Sequence, residues 1–223
     1  KTKVLSESQT ESLNLEEGSE IITQSNAFVA TCLGVLNNNY KLRLVDCNPD
    51  NFMIDYTKIE EKITSKTKAI IVVHLYGQVA DMTSIMNIAN DNNLMVLEDC
   101  AQCFLGTHKG RIGGTIGHIG SWSFENSKHL TTGDGGIVTT NDEQLGDLLR
   151  KLSCQGFKNA TAVNGKIRTS KNIFQNPKFK RHDMLGFMYR LPEVAAAMGL
   201  GQVEKIDKFV DLRIKMGLMF KAV

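Results

Sequence analysis

Short apolar runs recur at Glu20 to Thr23, Lys41 to Val45, Ala69 to Val73 and Leu94 to Leu97, and helical patterns separate them. This alternation is the strongest constraint on the fold, because parallel strands cannot be joined by a tight turn and need crossover segments between them. Apolar positions near helical spacing predict the crossovers over Asn26 to Leu36, Tyr56 to Ile63 and Met82 to Asn90. A glycine-crowded stretch, Gly106 to Gly120, predicts loops, after which Ile119 to Phe124 and Gly136 to Thr140 read as two further strands. The expected class is α/β, with a mostly parallel central sheet and flanking helices.

Downstream, Asp142 to Leu152 reads as a helix with Asn141 as its cap. Cys154 to Lys180 is polar and aperiodic and predicts a long, variable loop, and Pro192 opens a helix over Glu193 to Val203. The 223 residues suffice for one substantial core. With no initiator methionine, and a helical pattern still running at Phe220-Lys-Ala-Val223, residues 1–223 are expected to be part of a larger domain cut at both ends.

A formal net charge of +2 with no basic block gives no nucleic-acid footprint. No run approaches the roughly 20 apolar residues that span a bilayer, and Lys-Thr-Lys at the start resembles no secretory signal, so a cytoplasmic protein with no membrane partner is expected. The five cysteines, Cys32, Cys47, Cys100, Cys103 and Cys154, are scattered among apolar neighbours and read as buried core thiols. Cys100-Ala-Gln-Cys103 lacks a second cysteine pair and the histidines are dispersed, so no metal is expected. Neither a dinucleotide fingerprint nor a P-loop is present. His74 is expected to order a strand-end turn rather than act as a base.

Asp99 closes the run Leu94-Met-Val-Leu-Glu98, so a buried parallel strand would deliver its carboxylate to the carboxyl end of the sheet, where α/β folds bind ligands. Alone, it could equally cap the next loop. Lys128 lies in Ser121-Trp-Ser-Phe-Glu-Asn-Ser-Lys-His-Leu-Thr-Thr-Gly-Asp-Gly-Gly136, among hydroxyls and glycines. An amine for an aldehyde, a carboxylate for a pyridinium nitrogen, and hydroxyls and amides for a phosphate are what pyridoxal 5'-phosphate requires. Ser123, Ser127, Thr131 and Thr132, with Gly133, Gly135 and Gly136, could hold the phosphate, or the same residues could form a tight turn between two strands.

The stretches Gly18-Ser-Glu-Ile-Ile-Thr23, Ser25-Asn-Ala-Phe-Val-Ala-Thr31, Lys66-Thr-Lys-Ala-Ile-Ile71, His74-Leu-Tyr-Gly77, Glu98-Asp-Cys-Ala-Gln102, Ser123-Phe with Lys128, and Gly133-Asp-Gly-Gly136 occur in one order across nearly the whole chain. In that order they resemble the pyridoxal phosphate-dependent sugar aminotransferases of the DegT/DnrJ/EryC1/StrS type, which are fold-type I aminotransferases. The resemblance implies a large domain of that fold, with a smaller C-terminal domain lying outside this sequence. It implies that Lys128 bonds the cofactor aldehyde, Asp99 meets the pyridine nitrogen, Gln102 lies beside a ring substituent, Ser123 and Thr2 bind phosphate, and Phe28 stacks on the ring. For Phe28 the alternative is a core position in an amphipathic helix.

The implied reaction moves an amino group from an amino-acid donor, glutamate, to a keto sugar, most often nucleotide-linked, in a homodimer. The alternatives are a pyridoxamine phosphate-dependent sugar dehydratase, whose relatives on the same scaffold lack the lysine, and a noncatalytic or truncated relative that binds the cofactor. Two positions depart from the family pattern. Lys1 replaces a glycine before Thr2, and Met188 stands where an asparagine normally reaches the neighbouring subunit's phosphate. A methionine cannot supply that donor bond.

Overall fold

The computed structural model describes residues 10–160 and 170–221. Six strands form the central sheet: β1 (Glu20–Gln24), β2 (Lys41–Val45), β3 (Thr67–Val73), β4 (Met95–Asp99), β7 (Ile119–Ser123) and β8 (Gly136–Thr139). Their spatial order is β2-β1-β3-β4-β7-β8. All neighbours are parallel except β7 and β8. A small antiparallel hairpin, β5 (Thr107–His108) and β6 (Arg111–Ile112), projects from the connection before β7. Lys109 (φ 50°) and Gly110 (φ 78°) turn it, giving two consecutive left-handed residues of the kind tight hairpins demand. The sequence reading saw only the glycine crowding.

Alternating side chains of the strands feed two cores, as a two-residue period requires. Ile22, Ile70, Val72 and Val96 pack with Met82, Ile85 and Ala89 of α2 (Met82–Asp91). Ile21, Ile71, Leu97 and Ile119 pack on the opposite face with Val35 of α1 (Val29–Leu36) and Leu149 of α3 (Glu143–Ser153). β3 sits inside the sheet, and all but one of its residues are buried, which explains its unbroken apolar run.

Four expectations need correction. Tyr56 to Ile63 is not an α-helix but two 3-10 turns, Tyr56–Lys58 and Glu60–Lys62. Its amides bond three residues back, and Ile59 is the one fully buried apolar anchor there, too little to hold a longer helix. α1 starts at Val29 because Asn26 is held in a loop, accepting from the Gln24 amide and donating to the Phe52 carbonyl. Cys32 and Cys47 are only half-buried, whereas Cys100, Cys103 and Cys154 are core thiols. Burial pushes the Cys103 thiol up to about 11.

The fourth concerns α3, whose cap is Asp142 rather than Asn141. The Asp142 carboxylate accepts from the amides of Gln144 (2.8 Å) and Leu145 (2.9 Å). Asp142→Ala is therefore expected to cost about 1 kcal/mol in urea unfolding, with Asn141→Ala neutral. An equal effect at both positions would refute the assignment.

In the predicted loop, residues 154–160 are tied down rather than loose. Gln155 and Lys158 donate backbone bonds to Phe187 and Arg181, and Phe157 packs its ring on His182. A one-turn helix, α4 (Lys171–Phe174), follows. The predicted helix after Pro192 is α5 (Glu193–Val203), with Pro192 as its cap, and α6 (Ile206–Lys221) follows it. α6 buries none of its residues and exposes Leu212, Ile214, Met216, Leu218 and Phe220. No helix among the described residues is long and apolar enough to cross a membrane.

Candidate active site

The chain runs from β1 to β2 on one side of the sheet and then returns to place β3 on the other side of β1. Such a reversal leaves a crevice at the carboxyl ends of the strands. There the ends of β3 and β4, the start of α1 and the loop after β7 enclose a cavity of about 200 Å3. Phe28, Val73, Asp99, Gln102, Ser127 and Lys128 line it. Four of the predicted site residues, Phe28, Asp99, Gln102 and Lys128, thus converge from three separate parts of the sequence.

Asp99 ends β4 half-buried, with its carboxylate held at both oxygens. Oδ1 accepts from the Ala101 amide (3.0 Å) and Oδ2 from the Thr31 hydroxyl (2.7 Å). Phe28 is the N-terminal cap residue of α1, in an extended conformation, and is 62% exposed. That exposure excludes the core alternative and puts its ring at the cavity.

Lys128 is half-buried, and among the described residues no acceptor takes a hydrogen bond from its amine. Its backbone is fixed instead, the amide donating to the Glu125 carbonyl (3.1 Å) and the carbonyl accepting from Arg213 (3.3 Å). Ser127 donates its hydroxyl and its amide to Glu125. With the Lys128 charge nearby, these bonds hold the Glu125 carboxyl below the usual carboxylate range.

The other predicted residues are placed differently. Ser123 is buried at the end of β7 and is not part of the cavity lining; its hydroxyl accepts from the Glu125 amide (3.3 Å) and so shapes the loop that carries Lys128. Thr131 and Thr132 donate their hydroxyls to the Phe124 and Asp134 carbonyls, which makes Thr131 to Gly136 a self-closed turn. Thr2 lies outside the described residues. Met188 is exposed and bridges to Cys154.

Beneath the cavity lies a polar unit that the sequence reading did not find. His74 and Glu98 are both fully buried, with Nε2 and Oε2 at 2.9 Å. The Ala80 amide points at His74 Nδ1, which leaves the ring hydrogen on Nε2 to be donated to Glu98. The Glu98 carboxylate also accepts from the amides of Gly114 (2.8 Å), Ile116 (2.7 Å) and Gly117 (2.6 Å). Burial pushes the Glu98 carboxyl up, but the His74 bond and the amides outweigh it and hold the group below its ordinary value. The His74 amide donates to the Asp99 carbonyl (2.9 Å), joining this unit to the site. His74 does order a strand-end turn, as expected.

The amine, the carboxylate, the exposed aromatic ring and the amide of Gln102 fit the aldehyde, ring nitrogen, ring face and ring substituent of pyridoxal phosphate. A larger groove of about 720 Å3 runs along β8 and α3, but its Asp142 is committed to capping α3 and neither Asp99 nor Lys128 reaches it.

Residues 7–222 match the DegT/DnrJ/EryC1/StrS aminotransferase family. A GDP-perosamine synthase of Escherichia coli O157:H7 is 35% identical over 209 residues, covering 94% of this chain and 53% of that protein. Among solved structures, an aminotransferase from Psychrobacter cryohalolentis aligns with a TM-score of 0.82 at 35% identity, over 92% of this chain and 50% of that one. A GDP-4-keto-6-deoxy-D-mannose-3-dehydratase of E. coli with bound hydrated PLP aligns with a TM-score of 0.84 at 25% identity, over 96% and 57%. The chain spans about half the length of the curated relatives it matches.

Proposed function

The chain belongs to the DegT/DnrJ/EryC1/StrS aminotransferase family, and on that premise we propose that it is the cofactor-binding large domain of a pyridoxal phosphate-dependent sugar aminotransferase. The proposed reaction transfers the amino group of an amino acid, glutamate, to a nucleotide-linked keto sugar in the biosynthesis of amino sugars or surface polysaccharides. The observation that carries this reading is the meeting in one cavity of the Lys128 amine, which no acceptor among the described residues engages, with a fixed carboxylate, Asp99.

Bound pyridoxal phosphate supplies an electron sink for the carbon that loses a proton. Lys128 would hold the cofactor at its aldehyde and would carry a proton at Nζ. Asp99 would hold the ring nitrogen and keep positive charge there. Phe28 would cover a ring face and exclude water from it, and Gln102 would orient a ring substituent. The phosphate is assigned to Thr2 and Ser123, the latter buried at the end of β7.

A cytoplasmic homodimer is proposed as the working form. The exposed apolar side chains of α6 support association, since exposed apolar surface of that kind marks interaction sites. The likeness to a dehydratase admits a dehydration reaction on this scaffold, but the presence of Lys128 favours amino transfer.

Borohydride reduction of the full-length protein with pyridoxal phosphate, followed by peptide mass mapping, tests the reading. One adduct on Lys128, together with conversion of the cofactor by glutamate, is expected. Adducts spread over surface lysines would overturn it.

A further inference from the structure

We propose that Thr31 is a positioning residue that sets the Asp99 carboxylate for the cofactor ring, an inference that rests on the function proposed above. Thr31 is the third residue of α1 and is 1% exposed. A threonine inside a helix commonly returns its hydroxyl to a carbonyl three or four residues back. Here the Phe28 carbonyl, three residues back, accepts the Thr31 amide (3.0 Å), and the hydroxyl donates to Asp99 Oδ2 (2.7 Å), 68 residues away in sequence.

A hydroxyl carries one hydrogen, so this donation commits it. Because the Ala101 amide holds Oδ1, the second contact fixes the rotation of the carboxylate plane, which a single bond to Oδ1 would leave free. Lone pairs left on the two oxygens are then presented in one orientation.

The same helical turn carries Phe28 to the cavity and places Ala30 in its wall. One turn of α1 therefore sets both the ring face and the group that meets the ring edge. Thr31 touches no cavity space itself, so its effect passes through Asp99.

The test compares pyridoxal phosphate binding, by equilibrium dialysis of the full-length protein, in the wild type and in variants whose thermal unfolding is recorded alongside. Thr31→Val keeps the branched shape and removes the donor; it is expected to weaken cofactor binding about tenfold to a hundredfold, the range for a hydrogen bond to a charged group. Thr31→Ser keeps the donor and is expected to bind within about threefold of wild type by the same reasoning.

In an Asp99→Ala background, Thr31→Val should cause no further loss, whereas a purely structural role would add its own. Thr31→Ala replaces Thr31→Val in the comparison if the latter does not fold. Equal binding by Thr31→Val and wild type, or equal losses from Thr31→Val and Thr31→Ser, would overturn the inference and leave the functional reading standing. A wild-type protein that forms no adduct on Lys128 would overturn both.

Discussion

Replacing Lys128 with arginine is expected to lower amino-transfer turnover by about 10³-fold or more while leaving the protein folded. Arginine keeps the positive charge but stays protonated under all working conditions, so it can neither bond an aldehyde nor take up a proton. A positioned acid–base group alone contributes about 10²–10⁴-fold, and loss of the covalent tether adds to that. A 10³-fold loss corresponds to about 4 kcal/mol of transition-state stabilisation. Stability should barely move, within about 0.5 kcal/mol, because no acceptor among the described residues depends on the Lys128 amine. Steady-state kinetics and thermal unfolding on the same preparation separate the two effects. Turnover of the arginine variant near the wild-type rate would remove Lys128 from the chemistry.

Glu98→Ala is expected to have the largest effect on stability, about 3–5 kcal/mol in urea unfolding. The substitution leaves the amides of Gly114, Ile116 and Gly117 and the His74 ring hydrogen without their acceptor, in a fully buried place. Glu98→Gln keeps the shape but turns one oxygen into a donor, which must then face either His74 and Gly114 or Ile116 and Gly117.

The pH dependence has a definite sign. Because folding depresses the Glu98 carboxyl below its ordinary 4.5, its contribution is complete above that value and is lost as pH falls through the folded-state value. The wild type should lose stability over that acid range, and Glu98→Gln should show a flatter profile there. An identical profile would mean that the Glu98 carboxyl is not ionised in the folded protein.

Much of the scaffold was legible because buried parallel strands are continuous apolar runs. β3 (Thr67–Val73) holds the expected run Ala69 to Val73, and α5 fell on Glu193 to Val203, where pattern and turn chemistry agree. The segment after Tyr56 misled because a helical period over a few residues does not distinguish an α-helix from successive tight turns. In the site, Asp99 and Lys128 were readable from strand-end position and loop chemistry.

Thr31 lies within one of the family-like stretches, but nothing local in the sequence says that its hydroxyl leaves its own helix. Glu98 was hidden by its neighbour. Successive residues of a strand point to opposite faces, so Glu98-Asp99 had to divide its roles, yet the partners of Glu98 come from His74, 24 residues upstream, and from a glycine loop sixteen and more residues downstream.

The contact between Thr31 and Asp99 spans 68 residues, and the pairing of β7 with β8 brings together the two ends of the loop bearing Lys128. The groups that meet in the cavity therefore come together only after several long chain closures, each unfavourable until its strand pair forms. A cofactor held by this cavity would bind only the finished structure and is therefore expected to stabilise it, with unfolding slowed more than folding is hastened.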